Sequence, residues 1–215
     1  MNLAHRLSIA CVALSTLLVA SCSSLLNVQR QPFTTYSPSV GAAATTPVGA
    51  RVDWQLIIET PLSSATLDTA RMLVMPTPGV LEVFPGARWR DTTPALLRSL
   101  VVQGFENTGH IVGIGSTQSG LRADYALAID LRDFQLEIHA GAGQAAVRFQ
   151  ASLLNYTSNR VLATQSFTAQ APATGTDAAS AFVAFETALN TVIPQLVEWT
   201  FREGNAAHGK AAPAN

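Results

Sequence analysis

Cysteine is almost absent from this chain, which contains only Cys11 and Cys22 among its 215 residues. Cys11 lies in an N-terminal apolar run that we expect to be removed, so neither an internal disulfide nor a cysteine metal site is predicted. An excess of charge of either sign is also lacking, because 13 Lys and Arg residues stand against 14 Asp and Glu residues with no basic cluster. This balance predicts no binding to nucleic acid.

Long apolar runs are absent after Ser21, so no transmembrane helix is predicted in the rest of the chain. Before it, Arg6 precedes a short apolar run, Leu7–Leu18. This run is shorter than the ~20 residues that a membrane-spanning helix needs. A basic start followed by a short apolar run is typical of a secretory signal peptide, which we predict over residues 1–21.

The residues that follow are Leu18-Val19-Ala20-Ser21-Cys22, which resemble a bacterial lipobox. In that motif the cysteine thiol receives a diacylglycerol, a peptidase cuts before the cysteine, and the new amino group is acylated, for example with palmitate. We therefore predict an N-acyl diacylglycerol on Cys22 and no other cofactor. Ser23, rather than Asp, follows Cys22, and this favours sorting to the periplasmic face of the outer membrane. The alternative is an ordinary signal peptide with a chance cysteine.

Composition divides the remaining chain into three parts. Residues 22–50 are rich in Ser, Thr, Pro, Ala and Gly and predict a lipidated tether, in which Phe33–Tyr36 is a candidate short strand. Residues 51–202 carry the apolar periodicity of one folded domain. Residues 203–215 are small and polar and predict a flexible tail.

The folded part predicts an α+β domain, a mainly antiparallel sheet with two amphipathic helices packed on one face. Pro94 opens the first helix after a cap at Thr93, and Gly109 ends it. The second helix is predicted over Asp177–Phe201 with its cap at Thr176 or Asp177, and Pro194 is expected to kink or split it. Shorter strands are predicted at Val52–Glu59, Met72–Met75, Val80–Phe84 and Ile111–Ile114, with a turn at Pro76-Thr77-Pro78-Gly79.

Three longer strands follow and predict an antiparallel meander. In the first, apolar residues occupy odd positions from Tyr125 to Leu131 and even positions from Phe134 to Ile138. Side chains alternate between the two faces of a strand, so this change of parity predicts a bulge near Arg132-Asp133.

The chain resembles the ABC-type transport auxiliary lipoprotein family over about residues 52–200. The resemblance rests on an ordered set of segments: Leu67-Asp68-Thr69-Ala70-Arg71-Met72, Ala87-Arg88-Trp89-Arg90-Asp91, the strand Tyr125–Glu137 around Leu131-Arg132-Asp133-Phe134, Arg160-Val161-Leu162-Ala163, and the final helix. The sequence departs from the family before Val52, where the usual Tyr-rich first strand has only Phe33-Thr34-Thr35-Tyr36 as its counterpart.

The resemblance implies a non-catalytic docking subunit of an ABC-powered MCE-type (mammalian cell entry) lipid transport system between the inner and outer membranes. Its implied partners are a periplasmic MCE-domain protein, the permease and ATPase of that system, and the outer membrane through the lipid anchor. Contact with phospholipid and self-association into a homo-oligomer are left open. The alternative function is a lipoprotein assembly factor or plug for an outer-membrane β-barrel, and a third is a periplasmic enzyme.

No catalytic or metal site is predicted from the residues themselves. His110, His139 and His208 have no ligand-like neighbours at helical spacing. Gly141-x-Gly143-x-x-Ala146 matches a dinucleotide fingerprint only formally, because it leads into a strand instead of a helix. Asp130, Asp133 and Glu137 are read as a solvated sheet face. The chain is therefore expected not to be an enzyme.

Partner binding is instead assigned to apolar residues outside the main helical and strand stripes. Leu81, Val83, Phe84 and Trp89, with Arg88 beside them, are the candidate docking residues, because exposed apolar clusters often mark interfaces. The alternative places Trp89 in the core under the first helix. The neighbouring cations, which include Arg71 and Arg90, are read either as contacts for lipid headgroups or acidic partners or as solvated charges.

Overall fold

The long strands and the two helices are present in the computed structural model, which describes residues 32–41, 51–116 and 120–211. The strands are β1 Thr34–Tyr36, β2 Leu56–Ile58, β3 Leu62–Ser63, β4 Arg71–Thr77, β5 Val80–Trp89, β6 Ile114–Gly115, β7 Tyr125–His139, β8 Ala142–Asn155 and β9 Val161–Pro172. The helices are α1 Thr93–Thr108 and α2 Ala178–Ala211. Neither helix is both long and apolar enough to cross a membrane.

β7, β8 and β9 form the predicted antiparallel meander. Ala140 and Gly141 connect β7 to β8 with φ angles of 50° and 82°, the left-handed values that a tight two-residue hairpin turn uses. The pairing of β7 with β8 shifts register between Leu131 and Asp133, which confirms the predicted bulge. Because of this bulge, Leu131 and Phe134 are both buried although their positions differ in parity.

The sheet is mixed, so the prediction of a mainly antiparallel sheet is only partly correct. β4 and β5 form an antiparallel hairpin, whereas β1 pairs parallel with β5. β2, β3 and β4 all pair parallel with β7, and β2 also pairs parallel with β6. Alternation of apolar residues shows which face of a strand is buried, but it does not give the direction of a neighbour that is distant in sequence.

The helices meet each other where Gly104 of α1 faces Ile193 of α2; a Cβ atom added at Gly104 would lie 2.6 Å from the Ile193 side chain. The N-cap of α1 is Thr92, which corrects the predicted cap at Thr93, because Thr93 is already helical. The helix ends as predicted at Gly109, which has a φ of 64°. α2 is continuous through Pro194, so the predicted alternative of a split helix is wrong.

α2 also continues to Ala211, which corrects the predicted tail over residues 203–211. The physical reason is a tertiary contact, because Trp54 packs against the last turns of the helix. Trp54 Nε1 donates a hydrogen bond of 2.9 Å to Asn205 Oδ1. Gly204 leaves room for the indole, since a Cβ atom there would lie 2.8 Å from the Trp54 ring.

Part of the predicted tether belongs to the folded unit that starts at Phe33. Thr34–Tyr36 forms β1, and the Tyr36 ring lies 5.2 Å from that of Phe182 on α2. Val40 is only 3% exposed. The predicted signal peptide over residues 1–21, the lipidation site Cys22 and the rest of the tether lie outside the described residues.

Candidate docking surface

The hairpin of β4 and β5 carries the apolar residues that the sequence singled out. It turns at Pro78–Gly79, where Gly79 has a φ of 83°, a left-handed conformation that glycine adopts without strain. Thr77 and Val80 pair across the turn, in agreement with the predicted turn chemistry. β5 then runs for ten residues to Trp89.

The outer edge of β5 is open over most of its length. β4 pairs with one side of β5, and β1 pairs with the other side only at Ala87, Arg88 and Trp89. Within residues 32–41, 51–116 and 120–211, no strand pairs with that side of residues 80–86. An open strand edge presents backbone N–H and C=O groups that a strand from another molecule can bind.

Three aliphatic side chains project from this open stretch. Val80 is 46% exposed, Leu81 is 39% exposed and Val83 is 36% exposed. We refer to these three residues as the edge cluster. Leu81 and Val83 belong to the predicted docking set, whereas Val80 was missed although it directly follows the turn. Aliphatic groups exposed beside an open strand edge are typical of a surface that is covered by a partner.

Phe84 and Trp89 are not part of this surface, which corrects their assignment as exposed docking residues. Phe84 is 9% exposed and Trp89 is 1% exposed, so the alternative that places Trp89 in the core is correct. Gly86 has a φ of 68°, and the pairing of β4 with β5 is irregular in this region. The buried side chains of β5 therefore change from even positions (Phe84) to odd positions (Trp89). The sequence feature that indicates this irregularity is Pro85-Gly86 inside the strand.

Arg88 is exposed, but its side chain is held by the neighbouring strand. Its Nε donates a hydrogen bond of 3.0 Å to Thr35 Oγ1, and its guanidinium carbon lies 5.6 Å from the centre of the Phe33 ring. This cation–π contact and hydrogen bond fix β1 against the end of β5. Arg90 is likewise engaged, since its Nη2 donates to Ser99 Oγ at 2.8 Å. A role for Arg88 in partner binding stays a prediction.

His110, His139 and His208 each make a polar side-chain contact. His139 Nε2 lies 3.1 Å from Glu137 Oε2, and His208 Nε2 lies 3.3 Å from Asp53 Oδ1. The His110 ring contacts the carbonyl of Thr108. In the described part of the chain, no group of three or more His, Cys, Asp or Glu side chains is placed to hold a metal ion.

The acidic residues of β7 lie on the face of the sheet opposite the buried apolar residues. Each has its own partner: Asp130 pairs with Arg132 at 3.2 Å, Asp133 with Arg148, and Glu137 with His139. The bulge is what returns Asp133 and Glu137 to the same face as Asp130. Gln135 Nε2 also donates hydrogen bonds to Asp133 Oδ1 and Glu137 Oε1, so these two carboxylates are linked through one amide. The interpretation of this face as solvated and non-catalytic stays a prediction.

Proteins of known structure share this fold. A protein of Xanthomonas campestris assigned to family DUF330 is 35% identical, with a TM-score of 0.76 over 82% of this chain and 99% of that chain. The crystal structure of an uncharacterised protein, 10% identical, has the same fold with a TM-score of 0.61 over 78% of this chain and 98% of its own.

The chain belongs to the ABC-type transport auxiliary lipoprotein component family, whose model matches residues 36–197. The resemblance seen in the sequence is therefore confirmed, and it extends into β1. An uncharacterised protein of Bradyrhizobium diazoefficiens is 28% identical over 155 residues, which is 72% of this chain. The matched region covers only 41% of the length of that relative.

Proposed function

We propose that this protein is a non-catalytic auxiliary subunit that docks an ABC-powered, MCE-type lipid transport system to the periplasmic face of the outer membrane. Family membership supports the auxiliary role in ABC-type transport. The observation that carries the docking role is the edge cluster, Val80, Leu81 and Val83, beside the open edge of β5. The partner that we propose is the periplasmic MCE-domain protein, with its permease and ATPase behind it.

The edge cluster supports docking by strand addition. A partner strand would pair with the outward-facing backbone N–H and C=O groups of residues 80–86, among which Pro85 offers only a C=O, and the aliphatic side chains would give specificity. Burying an aliphatic side chain contributes roughly 25 cal/mol per Å² of apolar surface. An acidic group placed in such a contact would be buried without a partner, and this is strongly unfavourable.

The anchor completes the proposal, with Cys22 as its lipid-bearing residue and the outer membrane as its site. Stable anchoring requires about two acyl chains, and the predicted N-acyl diacylglycerol supplies more than that. The residues between Cys22 and β1 would set how far the folded unit stands from the membrane.

The test is a detergent pull-down of the tagged full-length protein, with partners identified by mass spectrometry. We compare the wild type with Val83→Asp, and with Val183→Asp as the matched control, since Val183 is 59% exposed but lies on α2. We expect an MCE-domain protein to be recovered with the wild type and with Val183→Asp, and at least about tenfold less with Val83→Asp. A photo-crosslinker at Leu81 should label the same partner directly.

Equal recovery with Val83→Asp and Val183→Asp would contradict docking through the edge cluster. Recovery of an outer-membrane β-barrel without any MCE protein would favour the assembly-factor alternative. A Cys22→Ala variant tests the anchor separately, because it should fail to incorporate labelled palmitate. Normal acylation of that variant would contradict the lipobox interpretation.

A further inference from the structure

A cavity of about 410 Å³ lies at the other edge of the sheet, between the start of β9 and the end of α2. Among the described strands, β9 pairs with β8 alone, and β5 lies on the other side of the sheet, beyond β7 and β4. The cavity volume falls within the range of small-molecule sites, roughly 300–1,000 Å³. Tyr125, Arg160, Leu162, Ala206, Ala207 and Lys210 contribute to its walls.

Two cationic side chains reach this cavity without a counter-ion. Neither Arg160 nor Lys210 forms a side-chain ion pair or hydrogen bond with any residue in the part of the chain that the structure describes. One acidic residue, Glu203, also contributes to the wall. It is engaged by Arg202, whose Nε lies 3.1 Å from Glu203 Oε1. The positive charge of the cavity is therefore that of Arg160 and Lys210, whereas Asp124 and Asp53 act on Tyr125.

Tyr125 and Asn155 contribute uncharged polar groups to the cavity wall. Tyr125 is 4% exposed, and its ring is held edge-on to Trp54 with the two ring centres 5.5 Å apart. Among the described residues, none forms a hydrogen bond with its hydroxyl. Burial, together with the nearby carboxylates of Asp124 and Asp53, raises the pKa of Tyr125, so the hydroxyl remains a proton donor at neutral pH.

Apolar groups complete the site. Leu162 is 38% exposed and the adjacent Val161 is 52% exposed, and both contribute to the cavity together with Ala206 and Ala207. A free inorganic anion would satisfy the cations and the phenol but would leave these aliphatic groups in water. A ligand that joins an anionic group to an alkyl chain satisfies both.

We propose that this cavity binds the anionic headgroup of an acyl-chain amphiphile. Arg160 and Lys210 pair with the phosphate or carboxylate of the ligand, and the Tyr125 hydroxyl donates a hydrogen bond to it. The first part of the acyl chain lies against Leu162 and the alanines of α2. This site is separate from the edge cluster and does not depend on the docking proposal, so Val83→Asp should leave it intact.

The test is isothermal titration calorimetry of the full-length protein in phosphatidylcholine vesicles. The probes are dihexanoyl phosphatidate, hexanoate, inorganic phosphate and dihexanoyl phosphatidylcholine, each as soluble monomers. We expect dihexanoyl phosphatidate or hexanoate to bind at one site at least about tenfold more tightly than inorganic phosphate and phosphatidylcholine. Which of the two binds more tightly distinguishes a lipid phosphate from a fatty-acid carboxylate.

Variants assign the binding to the named side chains. Arg160→Gln combined with Lys210→Gln should weaken the tighter probe at least about tenfold, and Tyr125→Phe should weaken it severalfold. Arg132→Gln is the matched control, because Arg132 is an exposed cation on β7, and it should bind like the wild type. The proposal is overturned if no acidic probe binds, if inorganic phosphate binds as tightly as the acyl probes, or if Arg132→Gln weakens binding as much as the double variant.

Discussion

Trp54 and Trp89 are each 1% exposed and each lies among aromatic rings, yet their indole N–H groups differ. Trp54 Nε1 donates to Asn205 near the end of α2. Trp89 Nε1 has no hydrogen-bond partner among the residues that the structure describes. Trp54 contacts the ring of Tyr125, which contributes to the cavity wall. Trp89 is the last residue of β5, the strand that carries the edge cluster.

The difference shows two ways in which a buried tryptophan stabilises this domain. Trp89 is held by apolar contacts alone, with Phe134 and Phe185 edge-on at 5.6 Å and 5.2 Å between ring centres. An unsatisfied buried N–H costs about 1–3 kcal/mol, which the burial of a large aromatic surface offsets. Trp54 has a polar contact in addition, and that contact fixes the last turns of α2, which the sequence alone predicts to be a tail.

The largest effect is expected from removal of either indole. Trp54→Ala and Trp89→Ala should each lower the free energy of unfolding by about 3–5 kcal/mol, measured by urea denaturation. Hydrogen exchange should separate the two variants, because only Trp54→Ala should also expose the amides of residues 203–211. Equal protection of that segment in both variants would show that Trp54 does not fix the end of α2.

Phenylalanine substitutions sharpen the same comparison, since both remove the N–H and keep an aromatic ring. Trp54→Phe removes a hydrogen bond, whereas Trp89→Phe removes an unsatisfied donor. We therefore expect Trp54→Phe to be more destabilising than Trp89→Phe by about 1–3 kcal/mol. The reverse order would mean that the N–H of Trp89 has a partner in solution.

A second prediction concerns two glycines near the end of α2. A Cβ atom at Gly204 would lie 2.8 Å from the Trp54 ring, whereas one at Gly209 meets nothing within 4 Å. Gly204→Ala should therefore cost about 1–3 kcal/mol through overpacking. Gly209→Ala should be neutral or stabilising by up to about 1 kcal/mol, because alanine favours the helix.

Thermal denaturation and helical circular dichroism of the two alanine variants measure this difference. Combining Gly204→Ala with Trp54→Phe should recover part of the loss, because the smaller ring no longer meets the new methyl group. If Gly204→Ala and Gly209→Ala changed stability by the same amount, the close contact between α2 and Trp54 would be disproved.

The smallest effect is expected at the start of the same helix. Asp177 Oδ1 accepts hydrogen bonds from the backbone N–H groups of Ala179 and Ser180, both at 3.0 Å, and Oδ2 accepts one from Ser180 Oγ at 2.7 Å. These bonds, chiefly those from Ser180, lower the pKa of Asp177 from its ordinary value of 3.8. The predicted helix cap is therefore confirmed at Asp177.

The sign of the pH dependence follows from that direction. A lowered pKa in the folded state means that Asp177 contributes its full stabilisation above pH 3.8 and loses it as the pH falls towards the lower folded value. Asp177→Ala should lower the melting temperature slightly at neutral pH. In this variant the melting temperature should also fall less steeply as the pH is lowered. Asp177→Asn keeps an acceptor oxygen, so its neutral-pH stability should lie between those of the wild type and Asp177→Ala. A steeper acid decline in Asp177→Ala would contradict this account.

The candidate docking residues differ in whether their exposure could be predicted from the sequence. The exposure of Leu81 and Val83 could be predicted because these residues lie outside the main apolar stripes, whereas their role in docking stays a prediction. Phe84 and Trp89 also lie outside the main apolar stripes, but both are buried. Gly86, which has a positive φ, changes which positions of β5 face the core. The cavity could not be foreseen, because Lys210 lies in the segment that reads as a tail and Tyr125 reads only as a core residue.

Local chemistry in the sequence determined the family, the three-strand meander, the bulge at Arg132-Asp133 and the end of α1 at Gly109. Each depends on side-chain periodicity or on one residue's backbone preference, which neighbouring residues encode. Only the tertiary structure decided the parallel partners of β7, the burial of Trp89 and the extension of α2 to Ala211. Those features depend on contacts between segments far apart in the chain, such as Trp54 with Asn205, and local patterns carry no information about such pairs.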